Sequence, residues 1–354
     1  MLRRGIADRA NIGRLLATLL PLGEGWEVIE LVAMSSVLVN DAAKLLSATW
    51  HEPHSTGCLA AVSDVAVAEQ RIEASLGNPS VAAVHEGQLI GYLAAPPPRP
   101  PGQGVGIKAA MHATAPENRR DIYRRLYAHL AGELTKIGGF THTIAVNCAD
   151  RATVDSWFEL GFGMDQVRGV QSLARLAVAT TGSTDIHVRE ARADDLDEMV
   201  DLAREVTRFH AESPMLRPAL SDHVFVRDEL IKAMASARSL VVVADLGQRL
   251  GGFFQVNPDS HFVDTATIGI AGVAPGKRHQ GVGTAIVNFA LDWASSSGYR
   301  FCAVEWTSPN LTSDRFWRGR GFQPLQDKLT RRIDPRIAWA HSGISYDHIR
   351  PLDL

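Results

Sequence analysis

The segment Arg278-His279-Gln280-Gly281-Val282-Gly283 sets a cation and two glycines between an apolar stretch, Thr265 to Val273, and a helix-periodic run beginning near Gly281 and reaching Ser296. At a helix N-terminus the first N–H groups lack intrahelical partners and the helix dipole is positive, which suits a phosphate. Glycines let such a group approach the backbone, Arg278 adds charge, and Thr284 offers a hydroxyl. The spacing fits either a phosphate site or an ordinary strand-to-helix turn. Candidate proton acceptors stand nearby in the sequence: Glu305 in a strand-like Ala-Val-Glu-Trp, Asp264 before the Thr265 stretch, and His261 in a hairpin loop. His210 and Glu212 close an earlier helix and are candidate substrate-binding residues, with a solvated or structural histidine as the other reading of His210. The letters Gln-Gly-Val-Gly recur at 103–106, but there they follow a proline run and precede a strand-like segment, so they read as a coincidental hairpin connection.

The elements that must position these residues occur twice. Ser80 to Leu93 resembles Ser239 to Phe254, with Gly87 and Gly247 at matching places, and Asp155 to Gly163 resembles Arg315 to Gln323, with Trp157 against Trp317. Both matches lie 160 residues apart, which marks a tandem duplication. The second copy reads as strand, two helices, a hairpin, a strand, a helix, a strand, a helix and a last strand. Such alternation predicts an α/β class with a mixed sheet. The divisions expected are an N-terminal extension over 1–25, a first copy over 26–178, a small polar linker near 177–184 and a second copy over 184–354. The first-copy counterpart of the glycine loop is Arg119–Arg124, with Ile122 and Arg124 where glycines stood. Side chains there would obstruct a pyrophosphate, so the first copy is expected not to bind one in this mode.

The loop and the segments beyond it resemble the GNAT superfamily of acetyl-CoA-dependent N-acetyltransferases. Its pyrophosphate motif is [Q/R]-x-x-G-x-[G/A], and Arg278 to Gly283 fits every position. The resemblance continues with Asn310, Trp317 seven residues later, and Gly321-Phe322. It implies two tandem GNAT domains, a layout similar to tandem members such as mycothiol synthase, with an actinobacterial look. Acetyl-CoA is the implied cosubstrate, held by the loop 278–283, Thr284 and Asn310, with backbone N–H groups of Ala271 and Val273 on the acetyl carbonyl. Transfer would be direct, in the second copy only, to a primary amine of a small molecule. Glu305 and then Asp264 are the candidate bases. Trp317 occupies the place where many members have a proton-donating Tyr, and an indole cannot serve, so a packing role is expected for Trp317 and Trp157. Tyr346 in the tail is an alternative acid. The first copy would cover the active one, shape the acceptor site or pair chains as a homodimer. Transfer of a longer acyl group, or acylation of a hydroxyl, uses the same loop; a CoA-binding regulatory protein is the non-catalytic alternative.

Composition narrows the partners. The 354 residues suffice for two cores, and 36 basic against 39 acidic residues give a net charge of −3, which offers nucleic acid no basic surface. Cys58, Cys148 and Cys302 are too scattered for a disulfide framework or zinc site, so no metal and a reducing cytoplasm are expected. No apolar run approaches 18 residues, so no membrane partner is expected.

Overall fold

The computed structural model describes residues 29–50, 63–98, 104–175, 186–217, 223–260 and 262–344. The N-terminal extension, the linker, residues 99–103, His261 and Tyr346 lie outside the described residues. Contacts divide the chain into two compact units, the first holding residues up to 165 together with those from 326 onward, the second spanning 166–325.

Unit 1 starts with β1 (Glu30–Val32), α1 (Val39–Trp50) and α2 (Val65–Glu73), then β2 (Ser80–His85), β3 (Gln88–Ala94), β4 (Gly104–Ile107) and β5 (His112–Thr114). Next come α3 (Arg119–Lys136), β6 (Thr141–Asn147) and α4 (Arg151–Glu159). β7 (Gly163–Ser172) then passes into unit 2, which continues with β8 (His187–Glu190), α5 (Leu196–Ala211), α6 (His223–Met234), β9 (Leu240–Asp245) and β10 (Leu250–Pro258). β11 (Thr265–Val273), α7 (Val282–Ser296), β12 (Phe301–Thr307) and α8 (Leu311–Gly319) complete it, and β13 (Gln323–Arg332) returns to unit 1. The duplication is visible in these bounds: β2 and β9, β6 and β12, α4 and α8, and β7 and β13 coincide at both ends after a shift of 160. The class is mixed α/β, as the alternation predicts.

The compact units nevertheless differ from the linear halves 26–178 and 184–354. The last strand of each half is housed in the other unit: β7 runs antiparallel to β12, and β13 antiparallel to β6. Burial holds the exchange in place. Val167 and Val170 on β7 are buried in unit 2, and Leu329 on β13 is fully buried in the core of unit 1. Each such side chain contributes about 1.5–3 kcal/mol. Unit 2 orders its strands β8-β9-β10-β11-β12-β7, antiparallel throughout except for the β11–β12 pair. One face of this sheet carries a core with α7 and α8, and the other a core with α5 and α6.

The repeated helices are built alike. Asp150 caps α4 by accepting from Thr153 N, and Asn310 caps α8 by accepting from Ser313 N at 3.1 Å. Trp157 packs edge-on against Phe162 at 5.0 Å between ring centres, and Trp317 against Phe322 at 5.4 Å, so both tryptophans are core residues under the Gly-Phe turns.

Unit 1 departs from unit 2 where β5 and β6 would pair. β4 takes that edge instead, running parallel to β6 from Gly104↔Thr141 to Ile107↔Ile144. The second Gly-Val-Gly is therefore a strand, not the hairpin connection its setting suggests. β5 pairs with β3 and reaches β6 through a side chain, because His112 Nε2 donates to the Ala145 carbonyl at 2.9 Å. A carbonyl only accepts, so the proton sits on Nε2 and Nδ1 accepts from Tyr123 O–H at 2.9 Å. His142 repeats the device, with Nε2 to Gly139 O at 3.1 Å and Nδ1 receiving Tyr127 O–H at 2.9 Å.

Burial pushes both imidazoles down to about 4 from an ordinary value near 6.5. Between those values the unfolded chain binds protons that the folded one refuses, so stability rises with pH across that window, by up to about 1.4 kcal/mol per pH unit for each group. Urea unfolding measured from pH 7 to pH 4.5 is expected to show a smaller acid loss in a His112→Gln/His142→Gln variant than in the parent. Equal losses would contradict the assignment of neutral, buried rings.

Candidate active site

The site in unit 2 begins with two strands that part. β11 and β12 pair from Thr265↔Phe301 to Ile268↔Val304, and there the pairing ends. Beyond it β12 stays with β7, Glu305 opposite Arg168 and Thr307 opposite Gln166, while β11 stays with β10, Ala271 opposite Phe254 and Val273 opposite Gly252. An irregularity in the β10–β11 register between Phe254 and Val256 bends β11 at this point, as a bulge does. Ala274 N donates to Gly251 O at 2.9 Å, which fixes the phase of the ladder. Gly272 and Ala274 then face β10, and the alternate N–H groups of Ala271 and Val273 point into the gap that β12 vacates.

The glycine loop closes one end of that gap. A short turn over Pro275–Lys277 leads to Arg278, His279 at φ 62° and Gly281 at φ 86°, the N-cap of α7. Only glycine adopts the Gly281 conformation without strain. The first intrahelical bond is Ala285 N to Gly281 O at 3.0 Å, so the N–H groups of Val282, Gly283 and Thr284 form the open first turn. Gly283 is small for a different reason: a Cβ there would lie 3.2 Å from the Phe316 ring and 3.6 Å from Val273. Gln280 Nε2 donates to Gly276 O at 2.9 Å and braces the loop, and the Arg278 guanidinium stacks on Phe209 of α5 at 4.4 Å. These donors, a positive helix end and a cation fit a pyrophosphate.

The polar residues divide clearly. Cys302, Val304 and Trp306 of β12 are in the core with α7 and α8, so Glu305 and Thr307 project to the opposite face. Arg217, just beyond α5, reaches that face and donates to Thr307 Oγ1 at 3.0 Å. Its backbone N–H also bonds the carbonyl of His210. The His210 imidazole is held below the ordinary histidine value, first by burial and then by Arg217 and Arg278. Glu212 is exposed at the C-cap of α5. Glu305, the first residue past the last β11–β12 pair, accepts from Arg168 Nη1 at 3.0 Å. Asp264 is elsewhere: it stands at the closed end of the β11–β12 pair, its carbonyl accepting from Arg300 N and Phe301 N, about 20 Å of strand from Ala271. That distance sets it apart from the open end, where Glu305 stands. Asn310 is buried and spends its side-chain oxygen on the α8 cap.

Arg168 is the residue sequence reasoning missed. It is buried, it joins Asp259 as well as Glu305, and it arrives on β7 from the other half of the chain. The available signal was a charge inside an otherwise strand-like run, Gln166 to Val170. Among the described residues no cluster of three or more His, Cys, Asp or Glu could hold a metal ion, and no helix is long and apolar enough to cross a membrane.

Among the described residues unit 1 offers no equivalent loop. The connection from β5 to α3 has four residues, Ala115 to Asn118, against eight from Ala274 to Gly281 in unit 2. Arg119–Arg124 are thus the first turns of α3, and not a loop with substituted glycines. Arg119 is paired with Asp150, and Ile122 is fully buried.

Residues 197–322 match the model of the acetyltransferase (GNAT) family. No curated protein sequence matches the chain. Among solved structures it resembles a GCN5-related N-acetyltransferase from Sphaerobacter thermophilus, with TM-score 0.60 and 14% identity over 87% of this chain and 96% of that one. It also resembles a tandem GNAT protein from the clavulanic acid biosynthesis pathway, with TM-score 0.50 and 15% identity over 86% and 98% of the two chains. At such identities the likeness is one of fold.

The loop assignment predicts that Thr284→Asp weakens acetyl-CoA binding at least about 10-fold while leaving thermal stability equal or slightly raised. A carboxylate in the first turn of a helix favours the dipole by about 0.3–1 kcal/mol but repels a phosphate. Unchanged affinity by calorimetry would exclude the α7 N-terminus as the site.

Proposed function

We propose that this chain, whose residues 197–322 form a GNAT acetyltransferase domain, acetylates a primary amine of a small molecule from acetyl-CoA, using unit 2 alone. The observation that carries this reading is the parting of β11 from β12 beside the open first turn of α7. The α7 N–H groups and Arg278 would hold the pyrophosphate, and the N–H groups of Ala271 and Val273 the acetyl carbonyl. When bound, acetyl-CoA supplies an activated acetyl group as a thioester. Two backbone donors fixed by the β10 ladder need no reorganisation as charge grows on that carbonyl oxygen. An alkylamine near pKa 10.4 is mostly protonated at pH 7, so a proton must leave before attack, and Glu305 on the acceptor face is the group to take it. The amine nitrogen then forms the new C–N bond as the C–S bond breaks and gives up its second proton to water, and water returns a proton to the departing thiolate, since the indole N–H of buried Trp317 does not ionise.

Several features support inactivity of unit 1. Its connection is four residues shorter, the cation at its α3 start is tied to Asp150, and His112 bridges β5 to β6 where a carbonyl would have to enter. The absence of an acid at Trp317 also favours a second reading, a CoA-binding regulatory protein.

Thiol release from acetyl-CoA, measured across small amines, amine-bearing peptides and longer acyl-CoA donors, separates these. Turnover with a small amine and acetyl-CoA is expected. Faster turnover of every peptide tested would overturn the substrate class, preference for a longer acyl donor would overturn the donor, and tight acetyl-CoA binding without turnover of any acceptor would favour the regulatory reading.

A further inference from the structure

We propose that Arg168, carried into unit 2 on β7, is the positioning residue that holds Glu305 at the open end of the β11–β12 pair, making the first half a working part of the second half's site. The inference rests on the acetyltransferase reading above and deepens it.

Arg168 and Glu305 are direct cross-strand partners, with Nη1 to Oε1 at 3.0 Å. The other end of the guanidinium joins Asp259, and the group lies over the Phe262 ring at 4.8 Å. The Arg168 side chain is 7% exposed and that of Asp259 0%, whereas Glu305 retains 27%. Asp259 is further engaged by Phe262 N–H, which donates to Oδ1 at 2.9 Å. One guanidinium thus joins two carboxylates, and of the two Glu305 is the one that solvent or an acceptor can reach. The contact fixes the direction of the Glu305 carboxylate. Such an arrangement suits a carboxylate that must receive an ammonium and take its proton.

The duplication supplies an internal control. A shift of 160 sets Lys328 in place of Arg168 and Ala145 in place of Glu305, and these two stand opposite each other on β13 and β6. The exchanged strands kept a cation in both units, but the acid exists only beside the open glycine loop. Arg168 lies on the exchanged strand β7, outside the 197–322 match.

The test is a double-mutant cycle in the full-length chain. Arg168→Met would leave Asp259 buried without its cation, so it is made together with Asp259→Asn, which removes both charges at once. Acetyl-CoA affinity, measured by calorimetry, is expected to stay within about 3-fold, while kcat for the best amine falls about 100-fold, the scale of a lost general base. Adding Glu305→Gln to that variant should cost no more than Glu305→Gln alone, and Arg168→Lys should recover part of kcat. Wild-type kcat in the folded Arg168→Met/Asp259→Asn variant, or losses that simply multiply with Glu305→Gln, would overturn the proposal while leaving the acetyltransferase reading intact. A wild-type chain that binds no acetyl-CoA would overturn that reading and this proposal with it.

Discussion

Parallel strands in the middle of a sheet normally stay paired along their length, since each lost rung leaves backbone donors and acceptors to be satisfied elsewhere. In unit 2 β11 and β12 pair over only four rungs. Each strand keeps its outer partner past that point, β10 for one and β7 for the other, so the separation is sustained by ladders on both sides. The gap therefore has rigid walls and carries outward N–H groups at Ala271 and Val273. The loop to α7, the stacking of Arg278 on Phe209 and the exposure of Glu305 all take their places from this divergence.

The outer wall of the gap is supplied by the exchanged strand. β12 would be a sheet edge without β7, and its segment past Val304 would have no ladder to hold it away from β11. The first half thus contributes to unit 2 a strand, an arginine and the buried valines Val167 and Val170. In unit 1 the connection to α3 is short, β4 lies along β6, and His112 spans the place where β5 and β6 would open. The parted pair of strands, β11 and β12, belongs to unit 2.

Much of this architecture is legible in the sequence. Glycine spacing ahead of an apolar-periodic helix identifies the loop, because positive φ at Gly281 and an open helix end are local demands that local sequence must meet. The 160-residue offset foretells the element order for the same reason. The strand exchange is not legible: β7 and β13 occupy equivalent places in the repeat, so the edges of β6 and β12 would accept either, and no local pattern distinguishes them. Asp264 and Glu305 are alike in sequence as carboxylates near a strand, because which end of the strand opens is decided by pairing with a strand some 35 residues later. Gly104–Ile107 is hard to recognise as a strand because two glycines in four residues give little β signal.

The central claim is that one slot, between β11 and β12 and under the α7 N-terminus, takes the acyl donor. Calorimetric titration of the full-length chain with acetyl-CoA, read for stoichiometry, addresses it directly. One molecule per chain is the predicted result; two would mean that unit 1 binds as well despite its shortened connection, and none would mean that the gap is structural and the glycine loop an ordinary strand-to-helix turn.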